Sequence, residues 1–240
     1  MAISVILIIA SFGAGAIASV SGFGIGSILT PVLATQVGAK LAVALVSIPH
    51  LTGTTVRFWK LRAQINRAVV WRFGLASAIG GLSGALLQSY ANAPVLAYLL
   101  GALLVFAGFM GLTGIASRFK IHGRAKWIAG VASGLLGGLV GNQGGIRSAA
   151  MLGFTLSKES FVATATAIPL FVDLARMPVY VINQHQDIFA VSPLVLVSTA
   201  GVVIGTLEGT RLLNRIPEQS FSRIVSALLL ALGIFMFSSA

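Results

Sequence analysis

Acidic residues are nearly missing from this chain. It carries five Asp and Glu against 16 Lys and Arg, and charged residues make up only 9% of its 240 positions. An ordinary soluble domain is about 25% charged, so there is too little charge here to cover a water-facing surface. Cysteine is absent, which excludes disulfides, thiol nucleophiles and cysteine-ligated metals. The sequence has no His-Glu-x-x-His and no Gly-x-Ser-x-Gly, and its acids are too dispersed for a carboxylate pair. Metallohydrolase, serine-hydrolase and paired-carboxylate chemistry therefore lack their residues. The chain reads as a non-enzyme with no metal and no cofactor.

What is present is apolar: 57% hydrophobic residues and a mean hydropathy of +0.98. The fold class expected is all-α, a polytopic membrane protein. Ten apolar segments can be drawn, at roughly 3–20, 24–37, 41–58, 72–89 and 94–115 in the first half, and 126–140, 146–157, 160–182, 190–210 and 219–238 in the second. A full span takes about 20 residues, so several of these are short enough to enter the membrane only partway. Residues 1–10 lack a basic stretch, so the first segment is expected to be retained rather than cleaved as a signal.

The net charge of +11 would suit nucleic acid, but the placement of the cations argues against it. Arg57, Lys60, Arg62, Arg67 and Arg72 cluster between two apolar segments, as do Arg118, Lys120, Arg124 and Lys126, while Lys158 and the group Arg211, Arg215 and Arg223 mark two further loops. The stretches around Ser89–Pro94 and Asn183–Asp187 hold no Lys or Arg. The positive-inside rule puts the first set in the cytoplasm and the second outside. Both termini then face the external side. Trp59, Trp71 and Trp127 flank the basic loops, where interfacial aromatic anchors belong.

The halves echo each other. Gly24-Ile25-Gly26-Ser27 matches Gly145-Ile146-Arg147-Ser148, Ile48-Pro49 matches Ile168-Pro169, and Gly80-x-x-x-Gly84 matches Gly201-x-x-x-Gly205. Corresponding loops nevertheless carry opposite charge character, so they face opposite sides. This predicts two inverted-topology repeats of about five segments each: residues 1–116, a basic cytoplasmic linker at 117–126, and residues 127–240. Each repeat holds a glycine-rich break, at Ser21–Ser27 and Gly141–Ser148. Glycine weakens a helix, and a broken helix at membrane depth is tolerated only where it is buried in protein or lines a polar cavity. Paired breaks in two halves point to a transporter's binding site. The other glycine pairs, Gly80/Gly84, Gly134/Gly138 and Gly201/Gly205, fit close helix packing.

Gly22-x-Gly24-x-Gly26 near the start, the glycine-rich turn opening the second half and the two broken halves together resemble the TauE/SafE sulfite exporter family, over essentially the whole chain. The resemblance implies a secondary carrier in the bacterial inner membrane that exports a small sulfur-containing anion, sulfite or an organosulfonate such as sulfoacetate. An anion channel and a membrane-embedded enzyme acting on lipid phosphate remain as alternatives, and the oligomeric state is open. The second break departs from the first in carrying Asn142, Gln143 and Arg147.

Arg147 leads the substrate-binding candidates, because an intramembrane charge is costly and a guanidinium fork suits sulfonate or carboxylate oxygens. Asn142 and Gln143 would add donors, with Gly144, Gly145 and Ser148 beside them. The first break would contribute Ser21, Gly22, Gly24 and Ser27, through backbone N–H groups and hydroxyls. Arg176 lies three residues after Asp173, on the same helix face. It can touch the anion or serve as that acid's structural partner. Asp173 and His50 are the proton-coupling candidates. Glu208 has Arg211 three residues on as a partner.

Overall fold

The computed structural model of the protein describes residues 2–115, 121, 123–213 and 217–238, and every regular element among them is helical. In chain order these are α1 (Ala2–Ser21), α2 (Ile25–Leu61), a 3-10 turn (Arg62–Gln64), α3 (Arg67–Tyr90), α4 (Ala93–Leu112), α5 (Ala125–Val140), α6 (Gly144–Met151), α7 (Lys158–Ala190), α8 (Ser192–Leu213) and α9 (Glu218–Ser238). Arg118, Lys120 and Arg215 lie outside the described residues. The expected segments 24–37 and 41–58 form one element, α2, interrupted at Gly38. Its φ of 78° and ψ of 156° suit glycine alone. Helix α7 is interrupted likewise at Gln184, with φ −134° and ψ 20°.

Six helices (α2, α3, α4, α7, α8 and α9) are long and apolar enough to cross a membrane, while Val5–Ser21 and Ala125–Val140 are apolar but shorter. The chain is a multi-pass membrane protein, and its burial pattern is the reverse of a soluble one. Ile79, Ile182 and Phe189 are 64%, 75% and 72% exposed. Arg147, Arg176 and Asp173 are 2% exposed or less. Lipid tolerates the outer isoleucines; only the protein interior can satisfy the inner charges.

Helices α2 and α7 pack on each other at the centre, with α8 also on α2 and α3 also on α7. Outside them α1 packs on α8, α3 on α5 and α4 on α9. Small residues set the closest of these approaches, as the sequence spacing predicted. A Cβ on Gly80 or Gly84 would strike the carbonyls of Val131 or Leu135, and one on Gly134 or Gly138 would strike those of Ser77 or Gly81. A Cβ on Gly205 would strike the Phe12 carbonyl likewise, and one on Gly201 would meet the Ser11 Cβ. Side-chain caps start the connected helices: Asn66 Oδ1 accepts from Val69 N at 3.1 Å and Asn92 Oδ1 from Val95 N at 3.1 Å.

Loops gather at two ends. At one end Lys40 Nζ donates to Ser89 O (2.7 Å), Gln88 Nε2 to Lys40 O (2.7 Å) and Asn183 Nδ2 to Ser89 Oγ (2.7 Å). At the other, Asn66 N donates to Thr164 Oγ1 (3.0 Å), and Lys126 Nζ lies 4.2 Å from the centre of the Phe154 ring. The connections poor in Lys and Arg thus share the first end, and the basic turn after α2 shares the second with the start of α5. One basic residue departs from the sequence reading. Arg57, grouped above with the loop cations, lies inside α2 and is 4% exposed.

Candidate functional site

The two glycine breaks touch. Ser27 Oγ donates to Asn142 Oδ1 at 3.1 Å, and Arg147 Nη2 donates to Gly22 O at 3.2 Å, across 115 and 125 residues of sequence. A Cβ on Gly26 would collide with the carbonyl oxygen of Gly141, and one on Gly144 would come within 2.7 Å of Phe23 Cβ. At Gly26 two backbones meet, and at Gly144 the Phe23 side chain fills the space that a Cβ would take. Gly22 and Gly24 take φ of 79° and 127°, and Gly141 ends α5 with φ 74°. The helices restart at Ile25 and Gly144, which shifts the correspondence between the breaks by two residues from the register that the glycines suggested.

Above these breaks, two arginines reach the last turns of the short helices. Arg57 Nη1 donates to Ala18 O of α1 at 2.5 Å, and its Nη2 donates to Thr54 Oγ1 at 3.1 Å. Arg176 Nη1 donates to Gly137 O of α5, and its Nε to Asp173 Oδ1 at 2.9 Å. Both carbonyl bonds span 39 residues. Ala18, Thr54 and Arg57 are each followed 119 residues later by their counterparts Gly137, Asp173 and Arg176. Helix C-termini carry partial negative charge, which favours a guanidinium at each. The other Asp173 oxygen, Oδ2, lies 2.6 Å from His50 Nδ1. Tyr180 OH donates to Gly138 O, next along α5.

The remaining expected residues fall into place unevenly. The Ser21 hydroxyl lies between two local acceptors, Ile17 O of α1 at 2.9 Å and Phe23 O at 2.6 Å. It is turned back onto its own stretch of chain. Gly22 offers its carbonyl to Arg147, and its N–H is held by Ala18 O at 3.0 Å. Gly24 precedes the first turn of α2. Open space adjoins Gly145, and Ser148 is half-buried. Arg176, Asp173 and His50, singled out separately in the sequence, form one chain of contacts between α2 and α7.

Several buried donors at this junction have no acceptor: Arg147 Nε and Nη1, Arg57 Nε and Gln143 Nε2. Leaving a buried polar group unpaired costs about 1–3 kcal/mol, more when it is charged. These donors, together with the unpartnered Gln143 Oε1, leave the junction of the two breaks rich in unfilled hydrogen-bonding valences, most of them donors. Among the described residues no group of three His, Cys, Asp or Glu could hold a metal ion. Sequence reasoning missed Tyr180 and the burial of Arg57, and it did not pair Arg57 with Thr54. The signal was present as Thr-x-x-Arg at 54–57 and Asp-x-x-Arg at 173–176, the same spacing in each half.

The family model described as Sulfite exporter TauE/SafE matches residues 7–236. No curated protein and no solved structure gives a match.

Proposed function

Since the chain belongs to the TauE/SafE sulfite exporter family, a family of membrane exporters of sulfite and related sulfur anions, we propose that it is a secondary carrier that binds sulfite or an organosulfonate such as sulfoacetate at the meeting of its two glycine breaks and exports it by alternating access. One observation carries the placing of the site. Arg147 is 2% exposed and has two donor nitrogens without a partner, beside the equally unpartnered side-chain amide of Gln143. A sulfonate presents three acceptor oxygens, which these donors and the open first turn of α6 can meet.

Many alternating-access carriers are built from two repeated halves that rock about a shared site. The reciprocal helix pairs support that reading. Helix α1 packs on α8 as α5 packs on α3, and each half sends an arginine to a carbonyl 39 residues earlier. We place the cytoplasm at the basic end and both termini outside, in the bacterial inner membrane. The division at 1–116, 117–126 and 127–240 follows from the same proposal.

The test is counterflow in proteoliposomes. Vesicles preloaded with unlabelled sulfoacetate or sulfite should transiently accumulate the labelled anion and saturate with concentration. Flux linear in concentration without counterflow would favour a channel. Failure of every sulfur anion to bind or move would overturn the substrate assignment.

A further inference from the structure

Thr54 and Arg57 stand to Ala18 as Asp173 and Arg176 stand to Gly137, with one difference. In the second half the residue three before the arginine is a carboxylate. In the first it is a hydroxyl. Arg176 therefore has a counter-charge and Arg57 has none. Among the described residues Arg147 has none either, its side chain bonding to the Gly22 carbonyl. Asp173 is the only buried acid among the described residues, against the buried guanidinium groups of Arg57, Arg147 and Arg176. With His50 neutral, the cluster carries a net charge of +2.

Helix ends do not cancel this charge. The C-termini of α1 and α5 contribute about −0.5 each, and the N-termini of α2 and α6 about +0.5 each, so they offset one another. Arg57 and Arg147 are also close. Their acceptors belong to two residues that are themselves hydrogen-bonded at the end of α1, Gly22 N donating to Ala18 O at 3.0 Å. Each guanidinium keeps an unpartnered Nε. Two uncompensated buried charges held at neighbouring carbonyls are costly unless a ligand neutralises them.

From this charge count we propose that the transported species is a dianion, and that Arg57 is the second anion-binding residue beside Arg147. The proposal rests on the carrier reading above and adds the charge class of the substrate. Thr54 is the position that keeps Arg57 available. An acid there would pair with the guanidinium internally, as Asp173 does with Arg176.

Calorimetric titration of the detergent-solubilised full chain with matched ligands tests this. Sulfoacetate carries one more negative charge than methanesulfonate, and malonate one more than acetate. The wild type should bind the divalent member of a pair about tenfold more tightly or better, as one further charge-assisted contact implies. Thr54→Asp, which neutralises Arg57 without removing it, should erase that preference while leaving methanesulfonate affinity nearly unchanged. Arg57→Gln, which keeps a donor for Ala18 O but loses the charge, should erase the divalent preference and also weaken binding of both members of a pair. Preference for malonate without any sulfonate binding would sink the sulfur-anion reading and keep the dianion. Equal wild-type affinity within both pairs overturns the dianion, whichever variants fold. So does retention of the divalent preference in folded Thr54→Asp or Arg57→Gln.

Discussion

His50 Nδ1 stands 2.6 Å from Asp173 Oδ2, joining α2 to α7 across 123 residues of sequence. The same carboxylate holds Arg176 through its other oxygen. One buried acid thus ties together a titratable ring, a guanidinium and, through Arg176, the end of α5.

Removing that acid should be severely destabilising. Asp173→Ala leaves Arg176 buried without a counter-charge, and breaking a buried pair from one side costs about 3–5 kcal/mol. The thermal melt in detergent should drop sharply. Replacing both partners with apolar residues, Asp173→Leu with Arg176→Met, should recover most of the loss. A single variant as stable as wild type would show that the pair carries little.

If His50 and Asp173 carry a coupled proton, His50→Gln should separate anion movement from the pH gradient. The glutamine can still bond to Asp173 but cannot take up a proton. Counterflow, which needs no net driving force, should survive in this variant, whereas uptake driven by an imposed pH gradient should vanish. Gradient-driven uptake equal to wild type would remove His50 from coupling.

Arg147→Ala should lower anion affinity by roughly ten- to a hundredfold, the equivalent of one charge-assisted hydrogen bond of about 1.5–3 kcal/mol. Arg147→Lys keeps the charge but loses the planar fork, so its affinity should fall between the two. Calorimetry beside a thermal melt checks both. Unchanged affinity in a folded alanine variant would exclude Arg147 from the site.

The chain has no cysteine, which makes single-cysteine labelling clean. Cysteines at Tyr90, which is 90% exposed, and at Asp187 should react with an impermeant reagent added outside cells. One at Gly123 should react only after lysis. Labelling of all three from one side would defeat the inverted arrangement of the halves.

Gly134→Val should separate α3 from α5, because a Cβ there meets the Ser77 backbone. Overpacking of this kind typically costs about 1–3 kcal/mol, and a backbone cannot rotate aside as a side chain can. A melt lowered by several degrees is expected, with no change in Gly145→Ala, whose added Cβ meets open space. Equal stability of the two variants would contradict the close approach.

Composition alone determined that this chain lives in lipid. With 9% charged residues and 57% hydrophobic ones, no soluble surface can be made, and backbone satisfaction in lipid leaves helices or closed barrels. The glycine runs marked where those helices break, because glycine accepts without strain the positive φ of Gly22, Gly24 and Gly141. Arg147 was legible for a similar reason, since a charge inside an apolar stretch is rare without a purpose. Tertiary structure alone decided the partners. Only the echo of Asp173-x-x-Arg176 in Thr54-x-x-Arg57 sets Arg57 apart in sequence from Lys60 and Arg62 a turn later, and only the packing of α2 against α1 shows that it is buried on Ala18 O. The contact of His50 with Asp173, and the meeting of Ser27 with Asn142, depend on how helices far apart in sequence come together. Sequence periodicity reports which face of a helix is apolar, but it carries no information about which distant backbone carbonyl that face will meet.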